Sequence, residues 1–450
     1  MPTAGSTCPM SGSGPCSPSA IITACGSACR WSWSLKNWAW MKKGIRSWPI
    51  NSDPSKRRGP KEMKSVEELR GLRKVYVGGL GRVRFQRYEN QEYYDFASQA
   101  LLNCLDEAEM EWKEIQAAFC GNVYAGTGKG HQVIAEVGLT GIPIINMEQA
   151  CSSSSAAFRM AYLMVATEIY DVVAVLGFEK MGRGLLASTA FKPWELALGF
   201  NVQPANYAQG VVRYMETYGA TEEDLARVVV LERKNANLNP YARWYQCGEV
   251  TLEEVMNSRV VAAPVRLMHA AAMVDGAVAI ILCSRDKLKS NIARSRKIEV
   301  AASVHTTGIY GEESVLFPAQ TNLVKEGVRQ AWEISGYGPE DMDVIQVYEA
   351  MAPAFLTDIE EMGFCKPGEA PRLLKEGYFD INGKLPANTD GGLVGCGHPL
   401  GATGARQIAE LITQLRGAAG PRQVEKAKIG IAHSSGAGPN AVFTILKRVD

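Results

Sequence analysis

The sequence predicts an α/β fold in which one α/β domain is duplicated. From Lys74 onward, segments typical of strands alternate with segments typical of helices, the order of a sheet covered by helices. In addition, the two halves of the chain share one pattern, in which an Asn, a short loop, a reactive type of residue and a long helix follow each other. The pattern occurs at Asn146 and Cys151 and again at Asn388 and His398. We therefore expect two copies of one unit, each closed by a β-strand.

Residues 63–297 are expected to form the first copy. KVYVGGLGRVRF predicts a strand and a turn, QEYYDFASQALLNCLDEAEM has apolar residues at helical spacing, and IQAAFCGNVYAG indicates a buried strand. SSSSAAFRMAYLMVATEI predicts a helix with an apolar stripe, and the unbroken apolar run in DVVAVLGFEKMG indicates a strand covered on both faces. A more polar stretch, about residues 181–270, is interpreted as an inserted cap or loop domain, after which DGAVAIILCS resumes the strand pattern.

Residues 298–450 are expected to form the second copy. TNLVKEGVRQAWEISG and ARQIAELITQLRG predict helices, and DVIQVYEAMAPAF predicts a strand that runs into a helix. KIGIAHSSGAG and NAVFTILKR predict the final strands. The second copy therefore repeats the order of strands and helices of the first.

Composition excludes several classes of function. The 450 residues carry a formal net charge of +1 without a basic block in the body of the chain, which argues against binding to nucleic acid or an anionic membrane. No apolar run reaches the roughly 18 residues of a membrane helix. The 11 Cys and 5 His show no metal-ligand spacing. A cytoplasmic enzyme with reduced thiols and no metal is expected.

The segment 1–62 differs from the rest of the chain. It holds five of the nine Trp, four of the 11 Cys and two acidic residues, and its Trp residues follow no helical or strand period. We interpret it as a non-homologous extension, either disordered or an over-extended gene start with Met63 as the initiator. An acid-poor, Ser-rich transit peptide is the alternative.

Cys151 is the first candidate for a reactive residue. It follows NMEQA and directly precedes the predicted helix that begins with four serines. Unpaired N–H groups and the helix dipole at that point favour a thiolate, and small serines leave room for a substrate. A lone cysteine is also a common small buried hydrophobe, so its position is what makes Cys151 a candidate nucleophile.

The stretch GGLVGCGHPLGATG, residues 391–404, carries the second candidate, His398. Its glycines bring the backbone close to another group, and Pro399 suits the first turn of a helix, which places His398 at a helix N-terminus. That environment keeps an imidazole neutral, as a general base requires. The alternative is a histidine that only caps its own helix.

These segments together resemble the thiolase superfamily over roughly residues 74–450. The resemblance rests on the glycine block around His398, Cys151 after an Asn-led strand, VDGAVAIIL at 274–282 and NPYA at 239–242. It is nearest the branch of archaeal acetoacetyl-CoA thiolases and sterol-carrier-type thiolases. The resemblance implies a five-layer αβαβα arrangement with an inserted loop domain. It also implies that Cys151 is acylated and that His398 activates it.

Two departures from the family pattern concern the acid/base chemistry. Biosynthetic and degradative thiolases carry an Asn-Glu-Ala-Phe motif, where this chain has YEAMA and Tyr348 replaces the Asn. They also have a second Cys in a glycine-rich turn, where this chain has AHSSGAGPN. His433 is therefore the candidate for the second acid/base and Cys396 the reserve. Gly436 and Gly438 of the same turn suit backbone N–H donation to a substrate oxygen.

The resemblance implies thiolytic cleavage of a 3-oxoacyl-CoA, with coenzyme A as substrate and no bound cofactor. An aryl substrate such as benzoylsuccinyl-CoA, from anaerobic aromatic degradation, is one expectation for this branch. The alternatives are a Claisen-condensing acetoacetyl-CoA synthase or ketosynthase, and a lipid-transfer or scaffold protein without catalysis. A homodimer core is expected, with a small zinc-ribbon, OB-fold subunit as a further partner.

Overall fold

Two successive runs of strands and helices build the molecule. The computed structural model describes residues 66–182, 191–197, 199, 201–308 and 320–449. All of them belong to one structural unit, Lys64–Asp450. The expectations for segment 1–62 lie outside the described residues.

The first run holds, in chain order, α1 (Val66–Arg70), β1 (Tyr76–Arg82), α2 (Tyr93–Ala108), β2 (Ala117–Gly121), α3 (Lys129–Val137), β3 (Ile144–Met147), α4 (Ser153–Ala166) and β4 (Val172–Glu179). The segment between β4 and β7 holds α5 (Pro193–Ala197), α6 (Gln203–Tyr218), α7 (Glu222–Asn237), α8 (Leu252–Asn257), β5 (Val260–Ala262) and β6 (Val265–Arg266). The run closes with β7 (Gly276–Cys283) and α9 (Asn291–Ser295).

The second run holds β8 (Lys297–Thr307), α10 (Gln320–Ser335), β9 (Val344–Gln346), α11 (Ala354–Glu361), α12 (Ala370–Lys375), α13 (Thr403–Leu415), β10 (Ile429–Gly436) and β11 (Asn440–Val449). Every segment that the sequence predicts as a strand or a helix forms that element. The residue types explain several boundaries. For example, α7 begins where the Thr221 side chain accepts a hydrogen bond from the backbone N–H of Asp224, which satisfies a helix-terminal donor.

The strand order and strand directions of the sheet show the duplication. Its strand order is β3-β2-β4-β7-β1-β8-β11-β10-β9, and β1 meets β8 only through Tyr76 and Glu299. In the first run β3, β2 and β4 are parallel, whereas β7 and β1 are antiparallel to their neighbours. In the second run β10 is parallel to β9, whereas β11 and β8 are antiparallel to their neighbours. Ala387 adds a parallel bridge beyond β9, at the position that β3 occupies in the first run.

Alternation along the strands sorts the side chains into layers. On β7, Ala277, Ala279, Ile281 and Cys283 pack in one core with α2, whereas Val278, Ile280 and Leu282 pack in another with α4 and α13. On β11, Ala441, Phe443 and Ile445 pack with α10. The order of layers is therefore α2, first half-sheet, α4 and α13, second half-sheet, α10. This confirms the five-layer αβαβα arrangement.

The central layer brings the starts of α4 and α13 to the same region of the molecule. Both helices follow strand-like segments in equivalent places of the two runs, after Asn146 and after Asn388. Each helix therefore presents the loop that precedes it, with Cys151 or His398, near one end of the central layer. Among the described helices, none combines the length and the apolar character that a membrane span needs.

Candidate active site

Cys151 occupies the turn that opens α4. Ala150 before it has a φ of 48°, and the helix begins two residues later at Ser153. The Ser153 hydroxyl accepts a hydrogen bond from the backbone N–H of Gln149 at 2.9 Å and so fixes this turn. The Cys151 side chain remains half-buried, whereas the four serines behind it are buried. The thiol is thus placed at the helix mouth, as the sequence predicts.

The expectation that this position favours a thiolate is wrong for the resting site. Burial raises the pKa of the Cys151 thiol to about 11, and the charge of Glu179 adds to the effect. A hydrogen bond from the Tyr348 side chain acts in the opposite direction, but loss of water outweighs it. Cys151 is therefore a neutral thiol at pH 7 and needs a base to become a nucleophile.

His398 supplies a neutral imidazole. Its Nδ1 lies 2.7 Å from the hydroxyl of Thr403, and its backbone N–H donates to the carbonyl of Ala272 at 2.7 Å. Burial lowers the pKa of His398 to about 3, and the charge of Arg406 lowers it further. The sequence predicts the neutral form correctly, although burial is its main cause. Pro399 precedes a short 3₁₀ turn, so α13 itself begins at Thr403, later than the sequence indicates.

The glycine block before His398 forms a π-helical turn, residues 392–396. The backbone N–H groups of Cys396 and Gly397 donate to carbonyls five residues earlier, at 3.0 and 3.3 Å. Gly397 has a φ of 129°, which a residue with a Cβ rarely adopts, and a Cβ there would lie 2.6 Å from Val274. The position of His398 therefore depends on a backbone conformation that requires glycine.

Tyr348 connects the predicted site residues. Its side chain is hydrogen-bonded to Cys151, its ring lies 5.8 Å from that of His398, and 6.5 Å separates it from the ring of His433. Burial raises the pKa of Tyr348 well above its usual value, so the phenol stays protonated and acts as a hydrogen-bond donor. The structure thus brings Cys151, His398 and His433 together around Tyr348.

His433 is a buried residue of β10. Its Nε2 lies 2.9 Å from the Ser435 hydroxyl, and its ring stacks on Phe443 with centroids 4.8 Å apart. A carboxyl oxygen of Asp358 lies 3.5 Å from its Nδ1. Burial lowers the pKa of His433 to about 3, so this imidazole is also neutral. Its surroundings suit a group that exchanges a proton without carrying a lasting charge.

The remaining candidates differ in their distance from this cluster. Gly436 lies against the loop before Cys151, because a Cβ there would be 2.3 Å from the carbonyl oxygen of Gln149. Gly438 has a φ of 79° and is exposed at the tip of the hairpin between β10 and β11. Cys396 is fully buried beside Asn239, 3.6 Å from its amide, and burial raises the pKa of its thiol. These positions favour His433 over Cys396 as the second acid/base.

Sequence reasoning missed a buried carboxyl pair behind Tyr348. The Asn388 amide donates to Glu232 at 2.8 Å and to Glu349 at 2.9 Å. Burial raises the pKa of Glu232 well above its usual value and that of Glu349 to about 7, so the pair retains a proton near neutral pH. The signal available in the sequence was Glu349 in YEAMA. Glu232 lies in the polar insertion, where no sequence motif marks it.

Two further groups near the site were missed. Tyr207 of α6 is half-buried, and the charges of Asp358 and Cys151 add to the rise in its pKa that burial causes. Glu179, at the end of β4, accepts backbone N–H groups from Val123 at 2.9 Å and from Gly401 at 3.1 Å. Glu179 thus ties the loop after β2 to the loop of His398. Within the described residues no cluster of His, Cys, Asp and Glu could hold a metal ion.

Two family models match the chain. The model described as "Thiolase, N-terminal domain" matches residues 75–286. The model described as "Thiolase C-terminal domain-like" matches residues 303–448. The two matches contain Cys151 and His398, respectively.

Several proteins of known name are similar in sequence. An acetyl-CoA acetyltransferase of Methanothermobacter thermautotrophicus is 34% identical over 388 residues, which cover 84% of this chain and 100% of that protein. Benzoylsuccinyl-CoA thiolase subunit BbsB of Thauera aromatica is 35% identical over 376 residues, which cover 82% and 96%. Sterol carrier protein 2 of Rattus norvegicus is 33% identical over 396 residues, which cover 84% and 72%.

Solved structures are similar in fold. The Ltp2-ChsH2(DUF35) aldolase gives a TM-score of 0.72 at 26% identity, covering 83% of this chain and 98% of that chain. Human mitochondrial 3-ketoacyl-CoA thiolase in complex with CoA gives a TM-score of 0.63 at 16% identity, covering 84% and 99%. At the lower identity the likeness concerns the fold alone.

Proposed function

Because the chain belongs to the thiolase family and is an acyltransferase, we propose that it cleaves 3-oxoacyl-CoA esters with CoA and carries the acyl group on Cys151. The observation that carries this proposal is the hydrogen bond between Tyr348 and Cys151 at the mouth of α4, with the neutral His398 imidazole beside Tyr348. A nucleophile, a base and a hydrogen-bond donor are the groups that covalent acyl transfer requires.

In the acylation step, His398 takes the thiol proton as the Cys151 sulfur attacks the 3-oxo carbon. The pKa values of about 11 and about 3 make a separated thiolate and imidazolium costly in the resting site, so proton transfer accompanies attack. The new C–S bond forms and the bond between carbons 2 and 3 of the substrate breaks. Its electron pair leaves as the enolate of the departing acyl-CoA, which takes a proton from His433.

In the thiolysis step, CoA loses its thiol proton to water and attacks the thioester on Cys151 as its thiolate, while His433 recovers a proton from water. The bond to Cys151 breaks, and the leaving thiolate recovers its proton from His398. One CoA is consumed and two acyl-CoA molecules leave. The reverse sequence is a Claisen condensation, which uses the same groups. Tyr348 and the backbone N–H groups near Gly436 are proposed to stabilise the oxyanion of each tetrahedral intermediate.

The test is CoA-dependent cleavage of acetoacetyl-CoA and benzoylsuccinyl-CoA by the purified chain, followed by loss of the 3-oxoacyl-CoA and by mass analysis of the products. Wild-type protein should release two acyl-CoA products, and Cys151→Ser should be inactive. Cys247→Ser is the control and should keep its activity, because Cys247 is an exposed cysteine. Cleavage by Cys151→Ser at a rate near that of the wild type would remove Cys151 from the nucleophile role.

For the substrate class we propose an aryl 3-oxoacyl-CoA such as benzoylsuccinyl-CoA. One support is the 35% identity to a benzoylsuccinyl-CoA thiolase subunit. A second is the apolar and aromatic character near the site, where Tyr207 packs against the cluster that contains Met351. The ratio of kcat/KM for benzoylsuccinyl-CoA and acetoacetyl-CoA tests this directly. A preference for acetoacetyl-CoA would assign a short-chain substrate instead.

For partners we propose a second copy of this chain and a small zinc-ribbon, OB-fold subunit. β3 is the outermost strand of its half-sheet, and Ile145 on it is 37% exposed, which leaves an unpaired edge suited to a twofold contact. The relative BbsB is named a subunit, and the aldolase structure names a DUF35 protein beside Ltp2. Light scattering should give a dimer for the wild type and a monomer for Ile145→Glu. Full activity of the purified dimer alone would show that no further subunit is required.

A second candidate function is retro-aldol cleavage, because the structure most similar among those compared above is an aldolase. Such cleavage breaks a carbon–carbon bond without an acyl group on the enzyme. The contact of Cys151 with Tyr348, whose ring lies 5.8 Å from the neutral His398 imidazole, supports acyl transfer over this alternative. Release of an aldehyde or a ketone in the absence of CoA would favour the aldolase reaction.

A further inference from the structure

One nitrogen of His433 faces a carboxyl group. Nε2 is engaged by Ser435, and the ring is held flat against Phe443. Nδ1 has no hydrogen-bond partner among the described residues, yet the Asp358 Oδ2 atom lies only 3.5 Å from it. Catalytic hydrogen bonds are often long in unliganded sites and shorten when substrate binds. This geometry is that of an imidazole oriented by a carboxyl group.

Asp358 lies in α11, with 16% of its side chain exposed. Its second carboxyl oxygen accepts a hydrogen bond from Thr357 at 3.4 Å. Burial raises the pKa of Asp358 well above its usual value, and the charges of Glu361 and Glu349 raise it further. The pKa of His433 is lowered by burial. The pair therefore rests as a carboxylic acid beside a neutral imidazole, without a buried ion.

We propose that Asp358 is a positioning residue that hands its proton to Nδ1 of His433 while Nε2–H of His433 protonates the departing acyl-CoA through the Ser435 hydroxyl, which lies 2.9 Å from Nε2. This inference rests on the proposed thiolase function and names the source of the proton that this function needs. It also explains how a buried imidazole with a low proton affinity can act as an acid. The imidazole never carries a full positive charge, because it gains a proton at one nitrogen as it loses one at the other.

The proton count balances over a turnover. As the bond between carbons 2 and 3 breaks, the Ser435 hydroxyl proton moves to carbon 2 of the enolate, the Nε2 proton replaces it on Ser435, and the carboxyl proton moves to Nδ1. Asp358 is then a carboxylate, while His398 holds the proton taken from Cys151, so the site stays neutral overall. CoA attacks as its thiolate after losing its proton to water, and a proton from water returns to Nε2 while Nδ1–H returns to Asp358. His398 gives its proton back to Cys151, and each group ends as it began.

Hydrogen exchange at carbon 2 isolates this proton transfer. Acetyl-CoA and succinyl-CoA are incubated with enzyme in D₂O, and loss of the carbon-2 proton signal is followed by NMR. Acylation of Cys151 by the same esters is measured in parallel by rapid mixing and mass analysis. Asp358→Asn is informative, because the amide can still donate to Nδ1 and hold the ring but cannot release a proton. The matched control is Glu376→Gln, an exposed carboxyl that follows α12 and pairs with Arg372.

Asp358→Asn should lower exchange by about 10²-fold and leave acylation within about twofold, since a positioned acid/base contributes about 10²–10⁴-fold. Glu376→Gln should change neither rate. Asp358→Ser serves as a second variant if the amide disturbs folding, and it should give the same split. Wild-type exchange in Asp358→Asn, or an equal loss of acylation and exchange, would overturn the inference. If the wild-type chain fails to acylate Cys151, the proposed function itself fails, and this is seen before any Asp358 variant is made.

Discussion

Burial sets the charge of each reactive residue in this site. The Cys151 thiol has a pKa raised to about 11, and the His398 and His433 imidazoles have pKa values lowered to about 3. The dominant cause in each case is loss of water around the charged form. A helix N-terminus alone would have favoured a thiolate at Cys151. The site instead holds neutral groups whose protons move during the reaction.

The raised pKa of Cys151 predicts its reactivity with an alkylating agent. Below its pKa of about 11 the thiolate fraction rises with pH, so alkylation by iodoacetamide should accelerate about tenfold per pH unit from about pH 7 to pH 9. Peptide mass mapping separates this residue from the exposed Cys247, which reports the reagent's own behaviour in the same sample. A plateau reached below about pH 8 would show a thiolate-stabilised Cys151 and contradict this account.

The two histidines are predicted to differ in the half-reaction that they serve. His433→Ala should spare acylation of Cys151 and lower carbon–carbon bond cleavage by about 10²–10⁴-fold, the usual contribution of a positioned acid/base. His398→Ala should slow both half-reactions, because His398 activates Cys151 itself. Rapid-mix acylation beside steady-state thiolysis distinguishes them. If His433→Ala slows acylation as much as thiolysis, or slows neither, the acid/base role passes to Cys396 or another group.

Site residues that belong to a sequence motif could be predicted. Site residues that only the tertiary structure brings to the site could not. Cys151, His398 and Tyr348 stand in recognisable local patterns, so the sequence was sufficient to nominate them. Asp358 lies in α11, the helix that follows YEAMA, and no local spacing connects it to His433. Glu232 lies in the insertion, and no local spacing connects it to Asn388. Only the folded chain brings Asp358 to 3.5 Å from Nδ1 of His433 and Glu232 to 2.8 Å from the Asn388 amide.

At the level of secondary-structure elements, the close crossing of α4 and α13 explains the run of serines after Cys151. The Ser154 hydroxyl accepts a hydrogen bond from the backbone N–H of Ala405 at 2.9 Å, so the two helices touch through small side chains. A Cβ on Gly404 would lie 2.6 Å from the Ser155 side chain. Larger residues at either place would push apart the helices that position Cys151 and His398.

Gly404→Ala tests this helix crossing. The added methyl group has no space, so the free energy of unfolding should fall by about 1–3 kcal/mol, the usual cost of overpacking. Thiolysis should fall as well, because His398 lies on the loop that enters α13. Gly210→Ala on α6 is the matched control, since a Cβ there meets nothing within 4 Å. Urea unfolding of both variants is the measurement, and equal stability of the two would contradict the crossing as described.

Over the whole molecule, the central layer departs most from what the sequence indicates. The pattern of ARQIAELITQLRG predicts a helix but gives no sign that its polar residues are inside the protein. All thirteen residues of α13 are buried. Arg406 pairs with Asp390, and Glu410 pairs with Arg422 at 2.9 Å. Helices between two sheets have no solvent face, so their polar side chains must find partners within the layer.

Arg406→Met should therefore be costly for stability. It leaves the Asp390 carboxyl buried without its partner, a change that costs about 3–5 kcal/mol for buried pairs. The control is Arg372→Ala on the surface of α12, whose pairs with Glu369 and Glu376 at 2.6 and 2.8 Å are exposed. Such pairs contribute about 0–1 kcal/mol. Urea unfolding should separate the two variants, and similar losses would show that the buried pair contributes little.

The acyl-enzyme on Cys151 is the central claim for the molecule as a whole. Mass analysis of the acid-quenched intact protein after mixing with benzoylsuccinyl-CoA or acetoacetyl-CoA in the absence of free CoA tests it most directly. We predict a mass increase equal to one acyl group, located on the peptide that contains Cys151, absent from Cys151→Ser and removed when CoA is added. Substrate turnover without such an adduct, or an adduct on another residue, would contradict the account.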